Sequence, residues 1–142
     1  MLMPEIDSDG APFWEAALHG ELRMQACAAC GRLRFPPRPM CPHCRSLARD
    51  WRLMSGRGRI WSYVVPHPPL LPAYAALAPY NVIVVALDED PALRLVGNLV
   101  ASPDGEINEI DPASIEIGTP VRAVFPRVAP DLALPRWITV AV

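Results

Sequence analysis

All four cysteines of this chain fall between positions 27 and 44, as CAAC and CPHC, with ten residues separating the pairs. Two Cys-x-x-Cys turns at that distance let Cys27, Cys30, Cys41 and Cys44 converge on one tetrahedral ion with no thiol left over. Four thiolates close the coordination shell and leave no position for substrate or water, so the expected site is structural and zinc is its default occupant. Small or turn-forming residues follow or fill each turn: Ala28, Ala29 and Gly31 in the first, Pro42 and His43 in the second. His43 is expected to be an exposed spacer.

Other uses of these thiols differ in what they require. Two disulfides need an oxidising compartment, whereas the opening MLMPEIDSDG has no basic and apolar leader, which predicts a cytoplasmic protein. A redox pair needs a low-pKa thiol at a helix N-terminus, and two pairs meeting at this distance argue for shared metal. Iron stays open, because Cys-x-x-Cys-Gly and Cys-Pro-x-Cys also resemble the knuckles of rubredoxin. Spacing does not separate the two metals; colour would.

Apolar residues make up 51% of 142, enough for a core, and the best apolar run, Asn81 to Leu87, is strand-sized rather than membrane-spanning. Eighteen prolines argue for short strands and stiff loops over long helices. Lysine is absent, which excludes Schiff-base chemistry and a lysine general base. The net charge of -2 hides a division: nine arginines and one acid lie between Arg23 and Arg59, against four arginines and fourteen acids elsewhere. A basic ribbon predicts an anionic partner for that end of the molecule; the plainer reading is the solvated face of a small domain.

In chain order, residues 1–11 carry no pattern and read as a flexible arm. PFWEAALHG predicts a short amphipathic helix with Pro12 in its first turn and Gly20 ending it. ELRMQA predicts a strand into the ribbon, and RLRFPPRPM a hairpin arm broken by prolines. Gly56 and Gly58 mark a tight connection, placing the boundary between a ribbon unit, 12–55, and a barrel unit, 56–142. GRIWSYVV alternates as a strand, with Trp61 and Tyr63 expected in the barrel core. HPPLLPAYAALAP reads as a loop, NVIVVALDE as a central strand, and ALRLVGNLV as a third whose Gly97 suggests a bulge or bend. PVRAVFPRV and LPRWITVAV supply the fourth and fifth strands. The fold class is mainly β: an N-terminal helix and zinc ribbon followed by a five-stranded OB-fold barrel.

FWEAALHGELRMQACAACGRLRFPPRPMCPHC, with SGRGRIWSYVV, NVIVVALDE, LRLVGNLV and IGTPVRAVF, resembles a family of bacterial and archaeal proteins. Its members join an N-terminal rubredoxin-like zinc ribbon to a C-terminal OB-fold and were long catalogued as a domain of unknown function. The likeness runs from Pro12 to Ile138, and all four zinc positions are present. It implies an accessory subunit without catalysis of its own, associated with acyl-CoA. The implied partner is a thiolase-superfamily enzyme (thiolase, aldolase or hydroxymethylglutaryl-CoA synthase type) or a MaoC-like hydratase of lipid or steroid metabolism. A homo-oligomer within such a complex stays open.

The residues agree with that implication. Coenzyme A carries phosphates on a flexible arm that ends in the acyl group, so its site wants guanidinium forks near apolar surface. Arg32, Arg34, Phe35 and Arg38 supply both on a proline-stiffened arm, with Arg57 and Arg59 expected to arrive from the neighbouring connection. Phe35 could equally pack ribbon on barrel. No catalytic residue is assigned: the thiols are committed to metal, and His19, His43 and His67 have no nucleophile pairing suggested by the sequence. The rival reading is a single-stranded nucleic-acid-binding protein, with Trp61 and Tyr63 as stacking platforms; the acidic barrel argues against it.

Overall fold

The computed structural model describes residues 1–141. Helix α1 (Ala11–Leu18) begins with Pro12 in its first turn. It stops where Gly20, at φ +74°, takes the left-handed conformation that lets its N–H reach Ala17 O and that of Glu21 reach Ala16 O. Those two bonds satisfy carbonyls that the helix end would otherwise leave bare. Residues 1–10 form no helix or strand, but the Asp7 carboxylate accepts the Gly10 N–H at 2.6 Å just before the helix.

Strands β1 (Arg23–Cys27), β2 (Leu33–Arg34) and β3 (Arg49–Leu53) form an antiparallel sheet in the order β2-β1-β3. The expected hairpin arm contributes only the two residues of β2; from Phe35 onward the prolines remove the donors a longer ladder needs. Strand β3 carries no sequence signal, because RDWRL is exposed at four of its five positions and shows no apolar alternation.

The second sheet has five strands: β4 (Arg57–Val64), β5 (Val82–Leu87), β6 (Arg94–Gly97), β7 (Pro120–Val124) and, after the small hairpin β8 (Arg127–Ala129)/β9 (Leu132–Ala133), β10 (Arg136–Thr139). Their order is β10-β7-β4-β5-β6. This is the OB arrangement, but the barrel is not closed by a continuous ladder among the described residues. Its edges meet at one parallel bridge, Leu99 to Trp137, where Trp137 N–H donates to Asn98 O and Val100 N–H to Trp137 O. The proline loop holds a single helical turn, α2 (Pro72–Ala75), where a loop alone was expected.

Two expectations about side-chain placement need correction. The irregularity lies in β4 between Ile60 and Ser62, not at Gly97. It breaks the alternation: Ile60 and Tyr63, three residues apart, both pack on the core, while Trp61 is turned out and is 49% exposed. Gly97 instead makes room for a neighbour, since a Cβ there would sit 3.0 Å from Trp137 Nε1.

One apolar cluster joins ribbon and barrel. Phe13 of α1, Leu22 and Met24 around β1, and Met54 pack in the same group as Ile60, Val85, Val121 and Trp137. Each such side chain contributes about 1.5–3 kcal/mol on burial. That shared core fixes the ribbon against the barrel and so sets where the site lies.

Candidate metal centre and adjoining groove

The two knuckles are built alike. In each, the first cysteine's carbonyl accepts an N–H from four residues on (Gly31 to Cys27, Arg45 to Cys41), and its own N–H donates to the carbonyl five residues on (Arg32, Ser46). Both turns need a left-handed residue after the second cysteine. Gly31 supplies it at φ +79°, whereas Arg45 adopts it at φ 63° without glycine's freedom. Arg45 could not have been singled out from its residue type.

The four sulfurs all lie within 4.8 Å of one another. Cys27 and Cys44 are 3.5 Å apart and Cys30 and Cys41 3.7 Å. An ion with metal–sulfur bonds of ~2.3 Å in a tetrahedron separates its sulfurs by ~3.8 Å, so the set fits one zinc ion. The local electrostatics favour thiolate at two positions. Backbone N–H groups, chiefly that of Cys30, hold Cys27 down at about 6 against an ordinary 9.0. Cys41 is lowered chiefly by the Cys44 N–H. At Cys44 the Ser46 N–H also pulls down, but neighbouring Cys27, burial, Cys41 and Cys30 outweigh it and push the thiol up to about 11. Ionising Cys44 in this cluster thus waits on a cation.

Beside the centre runs a groove of about 470 Å³ lined by Arg32, Arg34, Phe35, Arg38 and His43 from the ribbon and by Asp90 and Leu93 from the turn before β6. Arg32 Nη1 lies 2.8 Å from His43 Nδ1, both exposed. Arg34 is buried: its Nε donates to Gln25 Oε1 at 2.7 Å and its Nη2 to Arg38 O at 3.1 Å, while Nη1 has no partner among the described residues. Gln25 Oε1 also accepts the Arg38 N–H at 2.7 Å. Arg34 therefore shapes the arm from beneath, and Arg32 and Arg38 are its exposed cations. Phe35 is half-buried, with its ring 5.7 Å from that of Phe13.

Arg57 and Arg59 do not line this groove. Both stand on the outer face of β4; Arg57 lines a separate hollow with Arg122, and Arg59 donates to Gly118 O at 3.1 Å. On the same face, Arg94 lies 3.7 Å above the Trp61 ring, a cation–π contact across strands that no local pattern foretells. The histidines stand apart: His19 Nδ1 lies 2.9 Å from Glu15 O, and His67 is exposed in the proline loop.

A ribbon fastened through a shared core to an open OB barrel is an arrangement found in known proteins. The family model described as "ChsH2, rubredoxin-like zinc ribbon domain" matches residues 14–48, and "ChsH2, C-terminal OB-fold domain" matches residues 51–126. The chain belongs to the ChsH2 (DUF35) family. It is 43% identical over 132 residues to a probable enoyl-CoA hydratase alpha subunit of Thermomonospora curvata. It is 35% identical over 137 residues to the 3-oxo-4,17-pregnadiene-20-carboxyl-CoA hydratase alpha subunit of Mycobacterium tuberculosis. The matched lengths are 93% and 96% of this chain but only 38% and 40% of those relatives. A DUF35 domain-containing scaffold protein of Methanothermobacter thermautotrophicus is 41% identical, over 72% of this chain and 69% of its own. Among solved structures, one described as "Ltp2-ChsH2(DUF35) aldolase" superposes with a TM-score of 0.82 at 41% identity, covering 98% of this chain and 100% of that one. A Sulfolobus solfataricus protein of the DUF35 family, at 14% identity and TM-score 0.59, shares the fold over 94% of this chain and 86% of its own.

Proposed function

We propose that this chain is a non-catalytic accessory subunit that docks on a thiolase-superfamily or MaoC-like hydratase enzyme of lipid or steroid metabolism in the cytoplasm and helps hold its CoA thioester. The observation that carries the proposal is the groove in which Arg32 and Arg38 flank Phe35 beside the four-cysteine centre. Two exposed guanidinium groups suit a diphosphate, and an aromatic edge between them suits the apolar stretch that follows it. Relatives named as CoA-ester hydratase subunits, as scaffold proteins and as part of an aldolase support the same reading. In it, zinc held by Cys27, Cys30, Cys41 and Cys44 is structural. Residues 12–55 form the cofactor-facing half, residues 56–142 form the docking body, and residues 1–11 are an arm.

Arg34 enters this function indirectly, by orienting the arm, and Arg57 and Arg59 face a partner rather than the cofactor groove. Among the described residues, Asp90 on the groove's far wall is the one acid lining it, and the cationic side chains outnumber it. The test is affinity purification of the tagged chain from its host. Recovery of a CoA-dependent enzyme, lost or weakened in Arg32→Ala/Arg38→Ala, is the expected result. Recovery of single-stranded nucleic acid and no such enzyme would overturn the proposal.

A further inference from the structure

A second cleft, of about 390 Å³, lies where the barrel fails to close. Strand β6 is an edge: β5 is its ladder partner, and among the described residues the two sheet edges are bridged only at Leu99 and Trp137. Leu87 N–H donates to Leu93 O, so Leu93 faces β5, and by antiparallel alternation Leu95 and Gly97 do too. Arg94 and Val96 therefore turn their peptide N–H and C=O toward the open side. Across the gap stand Leu134 and Pro135. Phe13, Trp14 and Phe35 line it from α1 and the proline arm, and Leu95 and Trp137 line it from the barrel core. Past Asn98, Leu134 and Arg136 the cleft adjoins a further hollow lined by Tyr74 and Leu77.

We propose that this cleft takes the pantetheine arm and the proximal acyl chain of a CoA thioester, a site separate from the arginine groove but continuous with it; this rests on the acyl-CoA reading above. Three features select that occupant. The two cavities share Phe35 and adjoin along β6, with Leu93 lining one and Arg94 the other, so a molecule with phosphates at one end and an apolar chain at the other spans both. The outward peptide groups of Arg94 and Val96 match the two amides of pantetheine, as they would a peptide strand. A peptide strand, however, brings no diphosphate to the adjoining arginine groove, whereas a CoA thioester brings the phosphates, the amides and an apolar tail on one molecule. The volume lies within the ~300–1,000 Å³ range usual for small-molecule sites.

The experiment titrates the isotope-labelled full-length chain with CoA, acetyl-CoA and octanoyl-CoA by NMR. Octanoyl-CoA should bind about tenfold or more tighter than acetyl-CoA, since each buried methylene adds to affinity. The amides of Arg94 and Val96 should move with all three compounds, which share the pantetheine arm, and the indole N–H signals of Trp14 and Trp137 should move with octanoyl-CoA and not with CoA. Leu134→Trp, which fills the gap, should erase the chain-length gain, bringing octanoyl-CoA down to the affinity of acetyl-CoA. Val96→Glu sits at an exposed position, so it folds even if the tryptophan variant does not, and its carboxylate at the cleft should also flatten the series. Equal affinities for acetyl-CoA and octanoyl-CoA, or a chain-length gain that survives both variants, would overturn the cleft and leave the CoA reading standing. Failure of all three compounds to bind would overturn the CoA reading and the cleft with it.

Discussion

The buried Arg34 guanidinium donates through Nε to Gln25 Oε1 at 2.7 Å, and the same oxygen accepts the Arg38 N–H at the same distance. One side chain of β1 thus holds both the base and the far end of the proline arm. Gln25→Leu should leave a buried cation short of its acceptor and cost about 3–5 kcal/mol. Adding Arg34→Leu should recover part of that loss, because removing both partners leaves less polarity unpaired. Urea unfolding of the two single variants and the double variant measures this; strict additivity would show that the pair is not coupled.

Metal removal should act unevenly. Stripping zinc with a chelator should expose amides of β1, β2 and the knuckles to hydrogen exchange while β4, β5 and β7 keep protection, since their ladders and core do not depend on the cysteines. Loss of protection throughout the chain would show instead that the shared core cannot hold without the ribbon.

Acid should release the ion as well. Cys27, depressed from 9.0 to about 6 chiefly by the Cys30 N–H, contributes stability that is fully present above its ordinary value and is lost as pH falls through about 6. Protons and zinc compete for the same sulfur, so zinc retention should fall between about pH 7 and 5, read with a chromogenic chelator. Release already under way well above pH 7 would contradict the depressed thiol.

The twin knuckles make an asymmetric prediction. Gly31 and Arg45 occupy the same left-handed position, which is disfavoured by roughly 1–2 kcal/mol for a residue with a Cβ. Gly31→Ala should lower stability by about 1 kcal/mol, whereas Arg45→Gly should leave it unchanged or raise it, because relieved strain offsets glycine's larger unfolded-state entropy. Thermal melts of the zinc-loaded variants decide it; equal losses at both positions would refute the likeness of the two turns.

What could be read from the sequence divides along physical lines. The metal cluster was legible because cysteine spacing is itself a distance constraint, and α1 because Pro12 and Gly20 mark its ends. The strands β5 and β6 showed in β-branched and alternating runs. Trp61 was misplaced because it was paired on one face with Tyr63: it keeps the outer face of Arg57 and Arg59, while the bulge after Ile60, which no residue type announces, turns Tyr63 inward. Strand β3 was invisible for a different cause: paired on one edge and exposed on most of its surface, it needs no apolar pattern. The separation of Arg57 and Arg59 from the ribbon arginines follows from tertiary placement alone, since they are near Arg52 in sequence and on another sheet in space.

Asn81 shows how the open barrel is held where its ladder ends. It is wholly buried just before β5, and its side chain acts as a length of strand: Nδ2 donates to Leu99 O at 2.9 Å and Oδ1 accepts the Leu99 N–H at 2.7 Å. The Asn98 side chain returns a bond to Asn81 O at 2.5 Å. These contacts carry the chain after β6 toward its bridge with Trp137. Asn81→Leu should strand the Leu99 N–H and C=O inside the protein, at about 1–3 kcal/mol for each buried group, and total about 2–4 kcal/mol after partial relaxation. Asn81→Asp keeps one acceptor and loses the donor, so it should fall between wild type and leucine near neutral pH only if the buried carboxylate takes up a proton. Its deficit should therefore shrink as pH falls, the sign opposite to that of an ion-paired carboxylate. Urea midpoints of both variants at about pH 5 and 8 test this; a deficit of the Asn81→Asp variant that grows in acid would mean that a carboxylate accepting the Leu99 N–H outweighs both its burial and the donor lost from Leu99 O.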